Sequence, residues 1–110
     1  MSRSQKDVAY RLELVREALG KSDAQIGDET RIGRSGWGNF TSMNAKEPRR
    51  ITIEQAYKLY DTYGITFDWV YLGRRNGLPG EIADGIREIE AQGGLIEVDG
   101  KWVRPVQRAG

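Results

Sequence analysis

Three glycines punctuate this chain. Gly20, Gly64 and Gly73 each close a run in which apolar residues recur three and four positions apart. Ser22 or Asp23, Thr52 and Thr66 stand where a helix N-cap belongs, just ahead of such runs. A chain cut in this way folds as a set of short amphipathic helices. Val8, Leu12, Val15 and Leu19 form one face of a first helix, 5–19. A short second helix ends near Thr30 or Arg31, with Ala24, Ile26 and Gly27 inward. The third runs from Arg34 to about Thr41, where Trp37 and Phe40, three apart, share the inner face. Residues 42–51 form a loop holding Pro48. In the fourth helix Ile53, Ala56, Leu59 and Tyr60 face one way, flanked by Tyr57 and Tyr63. In the fifth, Phe67, Val70 and Tyr71 point to the core, bordered by Trp69 and Leu72.

The remainder has a different character. "RRNGLPG", 74–80, carries two turn signals and is expected to be a hinge between a 1–78 unit and a 79–110 element. Ile82, Ile86 and Ile89 mark a sixth helix. "LIEVDGKWVRPV" predicts a β-hairpin turning at Asp99-Gly100, with Val98 opposite Lys101, Glu97 opposite Trp102 and Ile96 opposite Val103. One face then carries Ile96, Val98 and Val103. A lone hairpin is marginal in water, so this face is expected to pack on the sixth helix or on a second subunit.

Composition narrows the chemistry. With 110 residues and 38% hydrophobic content, the chain holds one modest core. It has no cysteine and no histidine, which removes disulfides, thiolate metal sites, the commonest metal ligand and the commonest general base. No acid pair is fixed by spacing as a catalytic dyad, and the acids are expected on solvated faces. We expect no enzyme, no metal and no cofactor. No apolar run reaches the ~18 residues of a membrane span, and the first residues lack a signal-peptide core. A cytoplasmic, nucleoid-associated protein without membrane partners is expected.

Net charge is only +1, but Arg31, Arg34, Lys46, Arg49 and Arg50 cluster against the single acid Glu47. Such a cluster is either an ordinary solvated surface or, on the sharper reading, a phosphate-binding face. "GRSGWG" is not a dinucleotide fingerprint, because no strand precedes it. "GKS" at 20–22 is not a P-loop, because Val15 stands where that pattern needs glycine.

The stretches "RLELVREAL", "SDAQIGDETRIGRSGWGNF" and "ITIEQAYKLYDTYGITFDWVYLG" together resemble the lambda-repressor-like, XRE/Cro-type DNA-binding domain over residues 11–73. The resemblance implies a mainly α fold: a five-helix helix-turn-helix domain, here followed by the C-terminal helix and hairpin. It implies a second motif helix lying in the major groove of double-stranded DNA. Carried over by position, Arg34, Ser35, Gly38 and Asn39 would meet bases, with Trp37 and Phe40 as inward anchors. Arg suits guanine and Asn suits adenine. Ser22 and Gln25, with Ser42, Asn44, Lys46, Arg49 and Arg50 in the following loop, would meet phosphates. Asp23 stands where the family often has glutamine, Thr41 where it commonly has glutamate, and Gly36 and Gly38 where it has better helix formers.

The expected function is a sequence-specific transcriptional regulator of phage-like type, a repressor acting as a homodimer on a palindromic site. Ile82, Ile86, Ile89, Ile96, Val98, Trp102 and Val103 are the dimerisation candidates. Asp23 and the glycines motivate the alternative, a protein-interaction module or antitoxin on the same fold, with a protein partner at the C-terminal element.

Overall fold

A computed structural model describes residues 4–43 and 49–105. Among them the chain is mainly helical, with one small antiparallel sheet. The helices are α1 (Gln5–Leu19), α2 (Asp23–Thr30), α3 (Gly36–Thr41), α4 (Ile53–Tyr63) and α5 (Gly80–Ala91). A π-helical turn, Asp68–Leu72, lies between α4 and α5, and strands β1 (Ile96–Val98) and β2 (Lys101–Val103) follow. None of the described helices is long and apolar enough to cross a membrane.

Local chemistry sets most boundaries. Ser4 caps α1, and Gly20 ends it in the left-handed region. Thr52 and Gln55 form a reciprocal capping box on α4, and Gly64 stops it at φ 76. Thr66 Oγ1 accepts from the Trp69 amide, and Gly73 closes the π turn at φ 70. The expected short fifth helix is therefore wound wider than an α-helix. Its Trp69 is a core residue rather than a bordering one, because the indole donates to the Arg11 carbonyl at 3.2 Å. Phe67 and Tyr71 are only partly buried.

The core is built around α1, which packs against α3, the π turn and α5. Val8, Leu12 and Val15 meet Ile26, Trp37, Phe40, Leu59, Val70 and, from the C-terminal segment, Ile82, Ile86, Ile89 and Leu95. One core thus includes both segments flanking "RRNGLPG". A Cβ on Gly85 would stand 2.9 Å from the Cβ of Ala18, so that glycine lets α5 lie close on α1. The expected hinge is tied down. Arg75 holds both oxygens of Glu90 at 2.5 and 2.7 Å and lies over the Trp69 ring.

Two faces differ from expectation. On α4 only Ala56 and Leu59 are buried, whereas Ile53 and Tyr60 are 54% and 53% exposed. Ile53, Tyr57 and Tyr60 form a second apolar stripe, spaced four and three, and it is this stripe that faces out. The hairpin has the predicted register, and Asp99 and Gly100 turn at φ 52 and 80 as a primed turn requires. Its inward face is the other one. Trp102 is buried edge-on against Tyr10 at 5.3 Å, leaving Ile96, Val98 and Val103 exposed. A Trp ring offers 150–250 Å² of burial in one side chain, and Tyr10 supplies its partner.

Candidate nucleic-acid interface

The basic, glycine-rich segment is positioned by a tight turn between α2 and α3. Ser22 accepts from the Gln25 amide, and Gln25 Oε1 accepts from the Ser22 amide, so both side chains serve the α2 capping box. What they retain for a phosphate is the Ser22 hydroxyl proton and the Gln25 amide group. Arg31 ends α2 in the left-handed region, and the Gly33 amide returns to the Gly27 carbonyl at 3.0 Å. The chain passes so close that a Cβ on Gly27 would lie 2.1 Å from the Gly33 oxygen. The Gly36 amide then bonds the Gly33 carbonyl at 3.1 Å. This turn delays α3, which begins at Gly36 rather than Arg34. Arg34 lies within the turn, and Ser35 is the N-cap without a side-chain capping bond.

Six residues are too few for a self-sustaining helix, so α3 is held from outside. Trp37 and Phe40 are buried and pack edge-to-face at 5.2 Å. The Trp37 indole donates to Glu13 Oε2 at 3.3 Å. That oxygen also receives Arg16 Nε at 2.5 Å, and Arg16 Nε lies 3.2 Å from Asp23 Oδ1. Burial pushes the Glu13 carboxyl above its ordinary range, against the pull of Arg16. Burial works against the Arg16 charge as well, but Glu13, Glu17 and Asp23 outweigh it and raise its pKa. Glu13 is therefore no solvated surface acid. It is a buried anchor between α1 and α3. The signal available in sequence was Arg16, three residues on, beside a helix apolar on most sides. Asp23, the acid at the mouth of α2, is drawn toward Arg16.

Outward lie the four base-contact candidates. Arg34, Ser35 and Asn39 are exposed, and Gly38 is half-buried. Arg34 Nε rests 3.0 Å from Asp28 Oδ2, an exposed pair of the kind worth ~0–1 kcal/mol and easily exchanged for another anion. A Cβ on Gly38 would meet nothing within 4 Å, so packing does not require that glycine. A Cβ on Gly36 would stand 2.7 Å from the branch methyl Cγ2 of Ile32 and 3.9 Å from its Cβ, so the approach of Ile32 disfavours a side chain there.

The phosphate candidates are brought together in part. Gly38, Thr41 and Ser42 share the wall of a cavity of about 380 Å³ with Ser22 and Asp23, joining the start of α2 to the end of α3. Arg49 and Arg50 are exposed, and the Arg49 amide bonds the Asn39 carbonyl at 3.3 Å. Asn44 and Lys46 lie outside the described residues. Sequence reasoning missed Gln5, whose amide nitrogen reaches Phe40 O at 2.8 Å and Arg49 O at 3.0 Å. It also missed the bond from the Met43 amide to Gly100 O at 2.8 Å, which ties the hairpin turn to the exit of α3.

Of the dimerisation candidates, Ile82, Ile86, Ile89 and Trp102 are buried in the chain's own core. They are not available to a second subunit, because α1 already covers them. Ile96, Val98 and Val103 remain, at 45%, 46% and 38% exposure. Compared with protein-family models, curated proteins and solved structures, the chain matches none of them.

Proposed function

We propose that the chain is a sequence-specific DNA-binding regulator of the lambda-repressor-like type, a repressor that reads a palindromic site as a homodimer. In this reading α2 and α3 are the helix-turn-helix, and α3 enters the major groove. The observation that carries it is the two-sidedness of α3. Its large residues, Trp37 and Phe40, are turned inward and locked, while Ser35, Gly38 and Asn39 leave a small, polar outer surface beside Arg34. A surface of that kind suits close approach to base edges. The bond from the Arg49 amide to the Asn39 carbonyl supports Arg49 as the residue that would grip the adjacent phosphates.

The second subunit would meet the Ile96, Val98 and Val103 face, the part of the dimerisation set that the fold leaves uncovered. Two-fold pairing would set half-sites about one helical turn apart. A rival reading, a protein-interaction module or antitoxin, draws on the same uncovered face. A binding titration over salt separates them. The DNA reader loses affinity linearly on a log–log plot, with a slope set by the phosphates contacted. Undetectable binding to any duplex at low salt favours the rival.

A further inference from the structure

We infer that Gln5 is a positioning residue that holds the base-reading helix and the phosphate-gripping arginine in register. This rests on the DNA-binding reading. The geometry is a closed set of contacts at the exit of α3. The last carbonyls of a helix have no partner inside it. Here the Ser42 amide takes Gly38 O at 3.0 Å, the Arg49 amide takes Asn39 O at 3.3 Å, and Gln5 Nε2 takes Phe40 O at 2.8 Å. The second proton of the same amide goes to Arg49 O at 3.0 Å. Both partners are carbonyls, so only the nitrogen of the amide can face them.

One side chain therefore grips both the end of α3 and the loop residue Arg49, reaching 35 and 44 residues along the chain. Its own Oε1 is buried with no hydrogen-bond partner among the described residues. A buried orphan acceptor is disfavoured and calls for an explanation. The two bonds of the nitrogen supply one. They fix where the Arg49 backbone sits relative to Asn39, and hence where a phosphate contact stands relative to a base contact.

Gln5→Met tests this, because it removes both donors and the orphan oxygen at similar size. The measurements are the salt slope of binding for several duplexes, the melting temperature and amide hydrogen exchange. With the register lost, the slope of log K against log salt becomes shallower by about one, as when one phosphate contact is removed. The loss is the same for all sequences. Arg49→Ala has the same effect, and the double variant is no worse than either single one, because both remove one contact. A merely structural Gln5 would lower the melting temperature and leave the slope of the folded protein unchanged. That result, or slope losses that add in the double variant, overturns the inference. Without DNA, the Arg49 amide should lose exchange protection in Gln5→Met. If the wild type binds no duplex, the DNA reading fails, and an Arg49 amide still protected in the variant shows separately that Gln5 holds nothing.

Discussion

α3 and α4 are built on opposite principles. α4 has eleven residues, a complete capping box and a glycine stop, all supplied by its own sequence. α3 has six, two of them glycine, and no side-chain cap. Its shape comes from elsewhere in the chain: Glu13 and Gln5 on α1, the Arg49 amide, and the close turn at Gly27. A helix defined by its own sequence keeps its surface free of any constraint but burial. A helix defined by its surroundings can carry residues poor at helix formation on its outer face, which in the proposed reading leaves room for close approach to DNA.

The contrast can be broken most severely at Trp37. Trp37→Ala should cost about 3–5 kcal/mol of folding stability, measured by thermal or denaturant unfolding. Unchanged stability with lost DNA binding would mean that Trp37 is a contact residue and not the anchor. Gly27→Ala comes next. A methyl group 2.1 Å from a backbone oxygen cannot be relieved by a rotamer change, so the cost should reach the ~3 kcal/mol upper end of overpacking. A near-neutral result would show that the α2–α3 turn is looser than described.

Smaller effects separate the two helices directly. Thr52→Ala removes a capping bond from α4 and should cost about 1 kcal/mol. Ser35→Ala removes none from α3 and should lie within about 0.5 kcal/mol of neutral. Equal costs would erase the distinction. Gly38→Ala is the most delicate, since the site is open and helix propensity favours alanine by up to about 1 kcal/mol. Stability should rise slightly while DNA affinity falls. A rise in both would show that Gly38 does not serve close approach.

Much of this architecture was legible in sequence. Gly20, Gly64, Gly73, Ser22 and Thr52 act through local bonds to their own backbone neighbours, so reading them needs no tertiary knowledge. The hairpin register followed likewise from Asp99-Gly100. Faces were harder. Periodicity groups Ile96, Val98 and Val103, or Ile53, Tyr57 and Tyr60, but does not say which of two possible faces turns inward. Trp102 against Tyr10 decided the hairpin, and Ala56 with Leu59 decided α4. The start of α3 was misplaced because the Gly27–Gly33 turn takes up residues that a helical pattern would claim. Gln5 was invisible because its partners lie 35 and 44 residues along the chain. Glu13 showed locally only as the acid three residues before Arg16, and its bond to Trp37, 24 residues away, was not legible.

Selection of bound sites from random duplex DNA, run on the wild type and on Asn39→Ala, tests most directly that α3 is a reading surface. The wild type should yield a palindromic consensus with half-sites about one helical turn apart. Asn39→Ala should relax preference at one position of each half-site, by about 1–3 kcal/mol. Enrichment of no sequence by the wild type, or the same consensus from both proteins at full strength, would contradict a base-reading role for this face of α3.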